Sequence, residues 1–119
     1  MKKSVIAMCT GAVLAGVVFA AVPRAEAPAQ DAKLVAQGRE LFDSNKCTKC
    51  HFAEKRGNKN GQVLDGVSAK LTADDVRKWI TNPVAQTAKL KEKPEQPMKK
   101  LDLKPAEVDA LIAYVMSLK

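Results

Sequence analysis

The chain has 119 residues, with 20 lysines and arginines against 13 aspartates and glutamates, and a formal charge of +7. That length excludes two ordinary domains, and the basic balance admits nucleic acid, anionic lipid or an acidic protein as partner. An aromatic content of only 4% makes a thin core, so a domain this small needs reinforcement beyond its own side chains.

In chain order, Met1, Lys2 and Lys3 precede an uncharged apolar run, Val5 to Ala21, which reads as an export signal. Cleavage fits after Ala20, with Val18 and Ala20 as the small residues, or after Ala27, with Ala25 and Ala27, although Pro28 disfavours the second site. The run overlaps the shortest membrane-spanning helices in length, so an uncleaved anchor is the alternative. Cys9 lies within the run and is assigned no role. Residues 1–27 are therefore assigned to a signal peptide, or an anchor with a short tether, and residues 28–119 to the domain. Either way the domain is expected in the periplasm or otherwise exported, tethered to the outer face of the cytoplasmic membrane if the anchor is kept. Losing Lys2, Lys3, Arg24 and Glu26 lowers the charge from +7 to +5. Export argues against nucleic acid.

The domain is predicted to be all-α, since no strand-like alternation extends beyond a few residues. A first helix is expected from Asp31, as N-cap, to Asn45, with Leu34, Val35, Gly38, Leu41 and Phe42 on one face and Gly38 permitting a close crossing. Residues 55–66 hold three glycines and two asparagines and are read as an ordered loop without regular structure. A middle helix should start after Thr72, which forms a capping box with Asp75, bury Val76, Trp79 and Ile80, and end at Asn82-Pro83. Residues 84–100 begin as a short helix at most, because Pro94 and Pro97 interrupt them. The last helix should run from Pro105 to Leu118 with Val108, Leu111, Ile112 and Val115 inward.

Cys47-Thr48-Lys49-Cys50-His51 is C-x-x-C-H, the attachment signature of c-type haem. Two thiols one turn apart suit addition to the two vinyl groups on one haem edge, and the adjoining imidazole is then carried to the iron. A thioredoxin-like reading lacks the strand–helix context. A zinc site wants four ligands, and after removal of the leader the chain offers Cys47, Cys50 and its single histidine, His51. A covalently held apolar cofactor would also supply the missing core. The second ring nitrogen of His51 is expected to donate to a backbone carbonyl of the Gly61–Leu64 loop. For the sixth ligand, Met98 follows Pro97 on a loop, whereas Met116 lies within the apolar last helix, where core packing is the ordinary role. His51 and Met98 are the expected iron ligands, a pair that raises the reduction potential.

With these features in place, residues 32–119 resemble the class I monohaem cytochromes c of bacterial type. The resemblance is carried by Gly38 and Phe42 on the first helix, Cys47, Cys50 and His51, Trp79, Met98 and Tyr114. It implies a small cytochrome c fold, three main helices and ordered loops wrapped around one covalent haem c. It also implies a carrier of single electrons rather than an enzyme. Two departures stand out: Gln62 occupies the place of a family proline, and Lys99 follows Met98 where many bacterial members have proline. On backbone entropy alone, Gln62→Pro is expected to stabilise. Trp79 suits a haem propionate or simple core filling and is assigned to neither. In the family, a lysine rim such as Lys46, Lys49, Lys89, Lys91, Lys93, Lys99 and Lys100 docks acidic redox partners, although a charge run is ordinarily a solvated face. The alternatives are a haem-bearing subunit of a larger respiratory or dehydrogenase complex and a haem enzyme or gas-binding protein. The last would need polar distal groups, and no second histidine exists for that.

Overall fold

The computed structural model describes residues 31–119. The apolar leader, with both cleavage sites and the anchor alternative, lies outside the described residues. Among those described, no helix is long and apolar enough to cross a membrane.

Helix α1 spans Ala32–Ser44, and Asp31 caps it by accepting from the Lys33 amide at 3.0 Å. Its inward face buries Gly38 and Phe42, while Leu34, Val35 and Leu41 are half-buried. Helix α2 spans Ala73–Thr81. The Asp75 amide donates to Thr72 Oγ1, and the Thr72 amide donates back to the Asp75 carboxylate, the reciprocal pair expected of a capping box. The Thr72 hydroxyl and amide hold the Asp75 carboxyl below its ordinary pKa. A cap of this kind contributes about 1 kcal/mol. Val76 and Ile80 are buried as predicted, but Trp79 is only half-buried.

Helix α2 ends at Asn82, whose side chain at once caps the six-residue helix α3, Pro83–Ala88. Proline at the first helical position costs no hydrogen bond, so Pro83 starts this helix instead of merely ending the preceding one. Helix α4, Pro105–Ser117, buries every residue from Ala110 to Val115 together with Val108.

The core is the crossing of α1 on α4, with α2 packed beside α4. Gly38 makes the crossing possible. A Cβ there would run into the Ala110 carbonyl oxygen and sit 2.7 Å from Tyr114 Cβ. Phe42 and Tyr114 meet edge to face across it, with ring centroids 5.3 Å apart. Such a pair adds about 0.5–1.5 kcal/mol to its area burial.

The fold is all-α with three main helices, as expected, plus short α3. One local expectation fails, since the glycine-rich loop is not free of regular structure. Three short strands, β1 (His51–Ala53), β2 (Arg56–Gly57) and β3 (Gln62–Val63), form a sheet in the order β2-β1-β3. β1 pairs antiparallel with β2 and parallel with β3, His51 facing Gln62 and Phe52 facing Val63. The β1–β2 turn places Glu54 and Lys55 at φ of 50° and 61°, the left-handed pair of a two-residue hairpin.

Side-chain bonds hold that turn against the helices. Tyr114 Oη donates to Glu54 Oε2 at 3.0 Å. The Arg56 guanidinium bridges Glu54 and both oxygens of Asp43. Burial, and then the Glu54 carboxylate, push the Tyr114 phenol above its ordinary value, so it stays a donor.

Candidate haem-attachment site

The turn after α1 carries the candidate cysteines. Lys46 enters it at φ 57°, and Cys47–Lys49 form one 3-10 turn closed by the Cys50 amide donating to the Cys47 carbonyl. Both thiols are free, Cys47 half-buried against the core cluster and Cys50 exposed. Burial, with smaller contributions from Asp43 and Cys50, pushes the Cys47 thiol up to about 11. In the folded chain Cys47 is therefore a neutral thiol.

His51 follows directly as the first residue of β1. Its Nδ1 is buried without a hydrogen-bond partner. The Gln62 backbone acts on the ring, favouring its protonated form, yet falls short of full hydrogen-bond geometry; it is part of the loop expected to supply the carbonyl. Burial outweighs it and lowers the His51 pKa, which favours the neutral imidazole that a metal requires.

Residues 57–62 close on this turn from the other side. The Asn58 amide donates to the carbonyls of Thr48 (3.0 Å) and His51 (3.3 Å), Asn58 Nδ2 to that of Lys49 (3.2 Å), and the Gln62 amide to that of Cys50 (3.2 Å). The approach needs glycine twice. Gly57 sits at φ 97° with no room for a Cβ against the His51 carbonyl, and a Cβ on Gly61 would strike the Cys50 carbonyl. Sequence reasoning read Gly57 only as a loop former and Gly61 only as the start of the stretch expected to offer His51 a carbonyl.

The Gln62 amide reverses the expectation for that position. Its N–H is used by the attachment turn, so Gln62→Pro should destabilise, because proline removes the donor and leaves the Cys50 carbonyl unpaired. A loss of about 1–3 kcal/mol is expected in denaturant unfolding. A higher unfolding midpoint in the variant would contradict the assignment.

Met98 lies on the segment between α3 and α4. No backbone–backbone hydrogen bond involves residues 91–103 among the described residues. From Ala88 to Lys100 every side chain is exposed except Met98, which packs on the core cluster, as do Cys47, Leu64, Val67, Leu71 and Leu103. Met116, on α4, is also half-buried against that cluster, so burial alone does not separate the two methionines. Cys47, Cys50 and His51 thus share one turn, and Met98 and Cys47 rest on the same core.

These residues suit haem c. Two free thiols precede a histidine whose burial favours the neutral imidazole, and the core on which Cys47 packs is fringed by partly buried apolar side chains. Two open hollows elsewhere contain none of the four candidate residues. One, of about 470 Å³, lies between α1 and α4 beside Glu40 and Glu107, and the other, of about 390 Å³, is bordered by Glu54, Lys55, Asp65 and Lys119. Such charged borders suit solvent better than an apolar macrocycle. Among the described residues no group of three or more His, Cys, Asp or Glu gathers to hold a metal ion.

Fold and turn together define a small helical protein that presents a C-x-x-C-H segment against its core. Comparison with models of protein families matches residues 35–119 to Cytochrome c, and the chain belongs to the cytochrome c family. It is accordingly a haem-binding electron-transfer protein of a family that holds haem c, typically through cysteines. Neither the curated proteins nor the solved structures returned a match.

Proposed function

We propose that the chain is an exported monohaem cytochrome that carries single electrons between redox proteins. In this reading haem c is joined by thioethers at Cys47 and Cys50, and its iron is ligated by His51 and Met98. The carrying observation is the attachment turn itself, with both thiols free beside an imidazole that burial keeps neutral.

Bound haem c supplies a metal centre that takes up and returns one electron. The protein's part is to hold that centre and keep its surroundings still. Cys47 and Cys50 anchor it covalently, so it is not lost outside the cell. His51 turns Nδ1 into the protein, which leaves Nε2 as the ligand nitrogen. Met98 offers a thioether, a ligand that favours the ferrous state and raises the potential.

Lys46, Lys49, Lys89, Lys91, Lys93, Lys99 and Lys100 are all exposed, and none makes an ion pair among the described residues. Unpaired cations of this kind favour an acidic docking surface on the partner and speed its encounter at low salt. Export rests on the leader sequence, with cleavage after Ala20 or Ala27. A membrane is involved only if that leader is kept.

Mass spectrometry of the mature protein, denatured and made in cells that attach c-type haem, tests the reading. One haem increment is expected, lost when Cys47 and Cys50 are both replaced by alanine. The N-terminal residue of the same sample should be Ala21 or Pro28, whereas Met1 would indicate a retained anchor. A mature mass without haem would sink the proposal.

A further inference from the structure

The attachment turn makes few hydrogen bonds of its own. From Lys46 to His51 its carbonyls need donors, and only two are met within the turn, Lys46 by the Lys49 amide and Cys47 by the Cys50 amide. The remaining four accept from the segment that begins at Asn58. Main-chain donors reach Thr48, Cys50 and His51, but no main-chain donor reaches the carbonyl of Lys49. That carbonyl accepts from Asn58 Nδ2 at 3.2 Å.

The same side chain also shapes its own loop. Asn58 Oδ1 accepts from the Asn60 amide at 3.0 Å, an Asx turn, and the Asn58 carbonyl accepts from the Gly61 amide at 2.9 Å. One amide group thus folds the loop through its oxygen and grips the neighbouring turn through its nitrogen. Aspartate can do the first and not the second, because an ionised carboxylate only accepts. Serine supports the turn more weakly and has too short a side chain to replace the reach of Nδ2.

The grip lies where small displacements matter. Lys49 separates the two cysteine-bearing corners of the turn, and the His51 carbonyl shares the Asn58 amide. Gly57 and Gly61, each closed to a Cβ by this turn, bring the loop within reach on either side of Asn58. We propose that Asn58 is a positioning residue for His51, holding the Cys47–His51 backbone in register and so fixing the point from which the His51 side chain projects toward the iron. The proposal rests on the reading of Cys47, Cys50 and His51 given above.

The test uses the mature holoprotein with Asn58→Asp and Asn58→Ser, and with Asp109→Ala as a control that removes only the exposed Arg77–Asp109 pair between α2 and α4. Both Asn58 variants should keep the haem mass. Their amide hydrogen exchange at Cys50 and Gln62 should quicken at least tenfold, while the ferric low-spin g-values and the reduction potential shift from those of the parent. Asp109→Ala should leave all three unchanged. A lower melting temperature with unmoved g-values and potential would make Asn58 a purely structural residue and overturn the proposal. A parent protein without haem would instead overturn the functional reading, and the exchange rates would still decide whether Asn58 grips the turn.

Discussion

Gly38→Ala should cost about 3 kcal/mol, the upper range for forcing an extra carbon into a packed contact. Helix propensity works in the opposite direction, since alanine is favoured over glycine inside a helix by about 1 kcal/mol. A net loss therefore isolates the crossing from the helix that carries Gly38. Neither obstructing group can yield cheaply, for one is the backbone carbonyl of Ala110 and the other is the Cβ of Tyr114, itself 1% exposed. For a domain of this size the loss corresponds to a melting temperature lower by on the order of 15 °C. Ala36→Gly, at an exposed position of the same helix, gives the reference cost of a glycine exchange alone. A Gly38→Ala protein that melts within a few degrees of the parent would mean that α1 and α4 cross farther apart than described.

Met98→Ala should change the spectrum more than the fold. In the haem-loaded protein the ferric absorption band of thioether ligation should vanish and the potential should fall, with the haem mass retained. Water, or a neighbouring lysine such as Lys99, can then occupy the iron. Loss of a half-buried side chain should cost only about 1–2 kcal/mol. Met116→Leu is the necessary companion, because Met116 is half-buried against the same core. A volume-conserving exchange there should cost under about 1.5 kcal/mol and leave the band in place. Loss of the band in Met116→Leu, together with its survival in Met98→Ala, would transfer the ligand role to Met116.

The helices were legible because their signals are local. Asp31, the Thr72–Asp75 pair and Pro105 each act within one turn of the residues they cap, so the sequence carries the cause beside the effect. Gly38 was legible for a related reason, as a small residue on an otherwise apolar face. The sheet was not, because β1 to β3 are only two or three residues long, too short to show strand alternation. Gln62 shows the difference plainly. Its side chain invites comparison with proline, but its backbone N–H decides the outcome, and that use depends on the Cys50 carbonyl. Asn58 was hidden in the same way, although the Asn58-x-Asn60-Gly61 pattern does signal an Asx turn. Trp79 fitted the helical stripe, yet it is only partly buried.

The crossing of α1 on α4 also orders events in time. About 60 residues separate Ser44 from Pro105, so the α1–α4 packing surface at the centre of the core closes a long loop. Long-range contacts repay their loop-closure entropy only when both partners are present. A chain still being made, or still being threaded through a pore, lacks that surface until its final helix arrives. During this interval the Cys47 thiol has neither the burial nor the raised pKa of the folded state, and it is as open to chemistry as Cys50. Arrival of the last helix completes the core against which Cys47 packs, while Cys50 stays exposed in the finished fold, so a chain shortened before Pro105 would lose the difference between its two thiols.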